Sequence, residues 1–142
     1  MSTLVLYTTK TGATKECAEL LAKKICCSAC DIKQNTYDIE MYDTIILGTG
    51  VRMGKIYKPV KNYIKQNLNI LLQKKVVIFV CNAYADTFQT AIERNFPMEL
   101  IEQAICIKSF GGKPPFTKSQ NSDWLNLNNM NDLINILCSS DC

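Results

Sequence analysis

Histidine is absent from this 142-residue chain. Without an imidazole, Ser-His-Asp and Cys-His catalytic sets are excluded, as are His-rich zinc sites and His-based proton shuttles near neutral pH. Acid–base chemistry is left to Asp, Glu, Lys, Tyr or a bound cofactor. Long apolar runs are missing as well. The longest, residues 76–81, falls far short of the roughly 20 residues that a membrane-spanning helix needs. The opening Met-Ser-Thr-Leu-Val-Leu-Tyr-Thr-Thr-Lys has neither the basic leader nor the apolar core of a signal peptide, so a cytoplasmic location is expected. Charge of one sign is also scarce: 16 Lys+Arg against 13 Asp+Glu leaves +3, too little for a dedicated nucleic-acid binder. With 47% hydrophobic and 20% charged residues, and only six Gly and four Pro, the composition is that of an ordinary globular protein. Its length predicts one domain over residues 1–142.

What is present is an alternation of apolar runs with amphipathic stretches, the pattern of a parallel sheet covered by helices. Five strands are expected. The first is Thr3-Leu-Val-Leu-Tyr7, followed by a helix with Ala18, Leu21, Ala22 and Ile25 on one face. Residues 28–32 make a short second strand, and Thr44-Ile-Ile-Leu-Gly48 the third; the polar stretch between them lacks helical periodicity and predicts an abbreviated crossover. Ile56, Val60, Ile64 and Leu71 describe a second helix, with Pro59 in its first turn. Residues 75–81 are apolar on both faces, which suits a central strand. A helix interrupted near Pro97 carries Phe88, Ile92, Leu100 and Ile101, and residues 105–110 form the fifth strand. A last helix, with Ser122 or Asp123 as N-cap, shows Leu127, Met130, Leu133, Ile134 and Leu137 on its apolar face.

The segment with chemical content is Tyr7-Thr-Thr-Lys-Thr-Gly-Ala-Thr14, between the first strand and the first helix. Backbone N–H groups at a helix start carry partial positive charge and bind phosphate well when hydroxyls assist them. Thr9, Thr11 and Thr14 supply hydroxyls, and Gly12 permits close approach of the backbone. The same hydroxyls also suit simple helix capping. Neither the Walker pattern nor the dinucleotide G-x-G-x-x-G is present.

Thr9-Lys-Thr-Gly-Ala-Thr14, directly after an apolar strand, resembles the FMN phosphate loop of flavodoxins. Leu47-Gly-Thr-Gly-Val-Arg-Met-Gly54 resembles their isoalloxazine loop, and the similarity runs along nearly the whole chain. Gly48-Thr-Gly-Val-Arg-Met-Gly-Lys-Ile-Tyr-Lys58 and the late Asp123-Trp124 are similar to the branch containing the menaquinone-dependent protoporphyrinogen dehydrogenases. The resemblance implies an α/β fold, a flavodoxin-like three-layer sandwich with a five-stranded parallel sheet in order 2-1-3-4-5. FMN would lie at the strand carboxyl ends where that order reverses. It assigns Thr9, Lys10, Thr11, Gly12, Ala13 and Thr14 to the phosphate, and Thr49, Gly50, Val51, Arg52, Met53 and Gly54 to the ribityl chain and ring. Asn82, Ala83, Tyr84 and Asp86 would close the other side, with Tyr84 stacking on the ring, and the Gly54 peptide is the one expected beside flavin N5. Packing beneath a loop is the alternative for Met53 and Tyr84.

Two functions follow from the resemblance: an FMN electron carrier that docks with a reductase and an acceptor, or a protoporphyrinogen dehydrogenase that uses a quinone. Those enzymes carry an additional basic, aromatic segment before the last helix, where this chain has only the short polar stretch 111–123, so the carrier is favoured. No protein side chain is expected to be catalytic and no metal is expected. Arg52, Lys55 and Lys58 surround the flavin loop, where low-potential carriers place carboxylates, and either ease flavin reduction or simply sit in solvent.

Competing architectures lack their residues. A receiver domain needs acidic groups where this chain has Thr8 and Thr9, and a small tyrosine phosphatase needs C-x5-R, which no Cys begins. Cys27-Ser-Ala-Cys30 mimics a thioredoxin motif but falls at a helix carboxyl end, where the dipole raises a thiol pKa. The eight Cys are expected to be mostly reduced. Cys17, Cys81 and Cys106 read as small core residues, while the fold would bring Cys26, Cys27 and Cys30 toward Cys138 and Cys142, where a disulfide or a thiolate metal site is the alternative to reduced thiols although the spacings match no firm metal pattern.

Overall fold

A computed structural model describes residues 2–10, 12–34, 37–82, 87–111 and 125–139. Strand β1 (Thr3–Tyr7) leads into helix α1 (Ala13–Ile25) and edge strand β2 (Ser28–Asp31). Two 3-10 turns, Ile32–Gln34 and Ile39–Met41, replace a second crossover helix, in line with the missing periodicity there. Strand β3 (Thr44–Arg52) folds back as a hairpin through β4 (Lys55–Ile56) into α2 (Lys58–Leu71). Strand β5 (Lys75–Cys81), helices α3 (Phe88–Asn95) and α4 (Met98–Gln103), strand β6 (Cys106–Ser109) and helix α5 (Leu127–Ser139) complete the order.

The parallel sheet runs β2-β1-β3-β5-β6, with β4 paired antiparallel to β3 outside that path. Counting the parallel strands alone, this is the expected order 2-1-3-4-5. Strand periodicity divides the core in two. Leu4, Leu6, Ile45, Leu47, Ile78 and Val80 face α2, α3 and α4, whereas Val5, Tyr7, Ile46, Val77, Phe79 and Cys81 face α1 and α5. The central strands are therefore apolar on both faces because each face meets a helical layer.

Several boundaries depart from the sequence reading. The third strand does not stop at Gly48: it continues to Arg52, because Val51 pairs with Ile56 and Arg52 with Lys55. Ile56 accordingly lies in the hairpin, not on the second helix, although it is buried. Ile32 leaves the second strand for a 3-10 turn. Pro97 separates α3 from α4 as expected, because proline cannot donate the backbone bond of a continuous helix. Leu127 opens the last helix but is 47% exposed; the buried face is carried by Met130, Leu133 and Leu137. The proposed caps Ser122 and Asp123 lie outside the described residues.

Helix α1 ends on Cys26 in the left-handed conformation, and the Cys27 amide donates to the Ala22 carbonyl at 2.9 Å. Burial, reinforced by neighbouring Cys26, pushes the Cys27 thiol up to about 11. The direction is the one expected from the helix end, but desolvation is its main cause. No disulfide joins any two of the described cysteines, and no group of three potential ligands among the described residues could hold a metal ion. Cys142 lies outside them.

Gly48 faces Phe79 across the β3–β5 ladder, and a Cβ at Gly48 would run into the Phe79 ring. That ring is fully buried and stacks on Phe110 with centroids 4.8 Å apart, so it has nowhere to retreat. Gly48→Ala is expected to destabilise the protein by about 1–3 kcal/mol through overpacking. A urea unfolding curve with an unchanged midpoint would show that the ring moves freely.

Candidate functional site

The site forms at the carboxyl ends of β1 and β3, where the sheet order reverses and the chain leaves the strands in opposite directions. The last rung between these strands is the Thr8 amide donating to the Gly48 carbonyl at 3.0 Å. Beyond it, Gly12 takes φ +93°, a left-handed conformation that side chains rarely adopt, and opens α1 without a side-chain cap. The first ladder bond of the helix comes from the Glu16 amide to the Gly12 carbonyl, so the amides of Ala13, Thr14 and Lys15 have no intrahelical acceptor. A Cβ placed on Gly12 would meet nothing within 4 Å, so there is open space beside this residue. Thr9 Oγ1 accepts from the Gly12 amide at 3.0 Å and so shapes the loop from within, leaving its hydroxyl hydrogen free to donate outward. Ala13 and Thr14 are buried at the helix start, and Lys10 is exposed. Thr11 lies outside the described residues.

The β3–β4 hairpin stands beside this helix start. Its tip uses two left-handed residues, Met53 at φ +54° and Gly54 at φ +75°. Met53 is 94% exposed, so the alternative of packing beneath the loop is overturned. A left-handed methionine stores backbone strain of about 1–3 kcal/mol, and an apolar side chain left in water adds to the cost. Thr49 is buried; its hydroxyl donates to the Gly50 carbonyl at 2.9 Å and accepts from the Tyr57 amide at 3.3 Å. Arg52 is exposed and Val51 partly buried.

Two residues outside the sequence expectation organise these parts. Tyr57 packs so closely on Gly50 that a Cβ there would lie 2.5 Å from its phenol oxygen. The Lys10 ammonium rests 4.8 Å from the Tyr57 ring centroid, a cation–π contact joining the helix-start loop to the hairpin. Burial raises the Tyr57 phenol pKa, Cys81 adds to the shift and Arg52 opposes it, so the ring stays neutral. Asn95, at the end of α3, donates from Nδ2 to the Gly54 carbonyl at 2.8 Å and to the Ala91 carbonyl at 2.7 Å. Its Oδ1 accepts from the Ile56 amide at 3.4 Å. Tyr57 sits within the Gly48–Lys58 motif and had a local signal. Asn95 is 41 residues from Gly54 and had none.

On the third side, Asn82 is buried, and its Nδ2 donates to Thr87 Oγ1 at 3.0 Å. Ala83, Tyr84 and Asp86 lie outside the described residues. Below the site, Cys17 of α1 and Cys81 of β5 are both buried, with their sulfurs 3.5 Å apart. They serve as the small packing residues expected of them. No described helix is long and apolar enough to cross a membrane.

The arrangement has counterparts among known proteins. Over 89 residues the chain is 32% identical to the protoporphyrinogen IX dehydrogenase [quinone] of Leishmania major; the match covers 58% of this chain but only 38% of that protein's length. A short-chain flavodoxin associated with a bacterial microcompartment superposes over the full length of both chains, with a TM-score of 0.69 at 15% identity. A Fusobacterium nucleatum flavodoxin solved with flavin mononucleotide gives 0.60 at 15% identity over 99% of each chain. A Lactobacillus acidophilus flavoprotein solved with FMN gives 0.62 at 20% identity, covering 76% of this chain and 92% of its own. The flavodoxin domain family matches residues 4–132, and the chain belongs to that family.

Proposed function

We propose that this chain, as one flavodoxin-like domain, binds FMN between the α1 start and the β3–β4 hairpin and acts as an electron carrier. The observation that carries the reading is the uncapped start of α1 at Gly12, which has open space beside it and lies at the reversal point of the sheet. Three amides without acceptors and the Thr9 hydroxyl suit a phosphate monoester dianion in charge and in donor type. The FMN in the Fusobacterium and Lactobacillus proteins supports the same choice of ligand.

Thr9, Lys10, Thr11, Gly12, Ala13 and Thr14 would hold the phosphate, with Lys10 kept over the Tyr57 ring and near the anion. Thr49, Gly50, Val51, Arg52, Met53 and Gly54 would border the ribityl chain and ring, with the strained, exposed Met53 covering apolar ligand surface instead of meeting water. Asn82, Ala83, Tyr84 and Asp86 would close the opposite side. When bound there, FMN would supply reversible electron acceptance. The chain's own work is to anchor the phosphate, hold the ring edge open to a redox partner and set the local charge.

The first test is an absorbance spectrum of the purified protein reconstituted with FMN. A bound flavin spectrum, with FMN released on denaturation, is expected; a protein that stays colourless defeats the reading. The 32% identity to a protoporphyrinogen dehydrogenase favours a second reading, flavin-dependent oxidation of a porphyrinogen by a quinone. That assay is expected to show no turnover above free FMN, and turnover would replace the carrier by the enzyme.

Asn95→Asp keeps the shape of the side chain but cannot donate to the Gly54 carbonyl, so the hairpin tip loses its tie to α3. FMN affinity is expected to fall roughly tenfold, the scale of one lost buried hydrogen bond. Flavin fluorescence titration reads the change, and unaltered affinity would remove Asn95 from the site's support. Arg52 and Lys55 oppose one another on the hairpin, and both are exposed. Cations near a group that gains negative charge on reduction favour the reduced form. Arg52→Gln/Lys55→Gln should lower the midpoint potential of bound flavin by on the order of 30 mV per charge removed. A potential that rises or stays fixed in redox titration counts against this tuning.

A further inference from the structure

From residue 44 to residue 82 the chain contains no Asp or Glu, while Arg52, Lys55, Lys58, Lys61 and Lys65 follow one another. All five are exposed. Lys58, Lys61 and Lys65 recur at helical spacing on the outer side of α2, opposite the buried Val60, Ile64 and Leu71. Arg52 and Lys55 are direct cross-strand partners, a like-charge pairing that costs stability in a sheet. No salt bridge joins any of the five to a carboxylate among the described residues; the one ion pair there, Lys15–Glu19, lies on α1.

The same face contains a cleft of about 410 Å³ between α2 and α3. Lys61, Lys65 and Arg94 line it above an apolar floor that includes Ile64, Leu68 and Phe96. Its lining has three cations and no carboxylate. Asn95, which holds the Gly54 carbonyl, also lines the cleft, so this surface is continuous with the hairpin.

We propose that the β3–β4 hairpin, the outer side of α2 and the end of α3 form the docking surface for an acidic protein partner, one that exchanges electrons with the neighbouring site. The assignment of electron exchange rests on the flavin reading; the docking surface does not. Unneutralised cations beside an apolar recess match a partner that presents Asp and Glu around a small hydrophobic anchor. A bilayer is a poorer match, because part of the charge lines a concave cleft that a flat surface would not enter. Single-stranded nucleic acid is poorer too, because the ring in the cleft, Phe96, is 4% exposed and offers no stacking platform.

The test titrates the ¹⁵N-labelled full-length protein with three probes: an octaglutamate peptide carrying one central Leu, phosphatidylserine-containing vesicles, and an oligouridine RNA. The peptide is expected to shift amides within 52–65 and around Arg94, and about tenfold weaker binding is expected at high salt. Lys61→Glu/Lys65→Glu should remove those shifts while leaving flavin absorbance unchanged. Shifts spread over the whole surface, shifts that survive the charge reversal, or binding only to vesicles or RNA would each overturn the proposal. Flavin absorbance of the same samples is recorded separately, so a colourless protein that still binds the peptide at this face defeats the flavin reading and leaves the acidic docking surface standing.

Discussion

The parallel pairing of β1 with β3 is the constraint on which the rest of the molecule depends. Thr3–Tyr7 aligns with residues 44–48 in unbroken register, and the chain winds to one side of that pair through β2 and to the other through β5. Helix α1 then packs on one face of the sheet and α2 on the other, so the segments leaving the two strands diverge at their carboxyl ends. The space between them receives the uncapped start of α1 and the strained hairpin. Neither feature would be useful alone. A helix start offers charge without shape, and an exposed Met53 offers apolar surface without an anchor.

The hairpin is a stiff object borne on the sheet rather than a free loop. Its strand is the extension of β3, its base is set by Tyr57 against Gly50, and its tip is tied by Asn95 to the end of α3. Asn95 is the last residue of α3, which Pro97 separates from α4, and its side-chain Nδ2 reaches from there to the Gly54 carbonyl. Displacing the tip would break the Asn95 bonds to the Gly54 carbonyl and the Ile56 amide, so the hairpin holds its geometry. The basic surface follows the same elements, so charge and site shape are carried by one continuous piece of structure.

Much of the fold was legible along the chain. The alternation of apolar runs and amphipathic segments gives the layers, and the weak periodicity before Thr44 corresponds to the two short 3-10 turns. The threonine-rich loop between β1 and α1 was readable because strand, glycine and helix start are consecutive. The extension of the third strand from Gly48 to Arg52 was not, since the Arg52–Lys55 pairing depends on a hairpin with two left-handed residues, only one of them glycine. Leu127 misled because helical spacing identifies a face but not how far the neighbouring layer extends to cover it.

The sequence by itself determined the class of fold and the place of the glycine that opens the first helix, because both rest on short-range pattern: period two, period 3.6, and glycine before a helix; the strand order, which joins distant segments, followed from the resemblance to flavodoxins. It also determined, through the missing histidine, that no chemistry here rests on imidazole. Only the tertiary structure decided the roles of Tyr57 and Asn95 and the gathering of Arg94 with Lys61 and Lys65 around one cleft. Those contacts join residues far apart along the chain, and their geometry exists only once the helices have packed on the sheet.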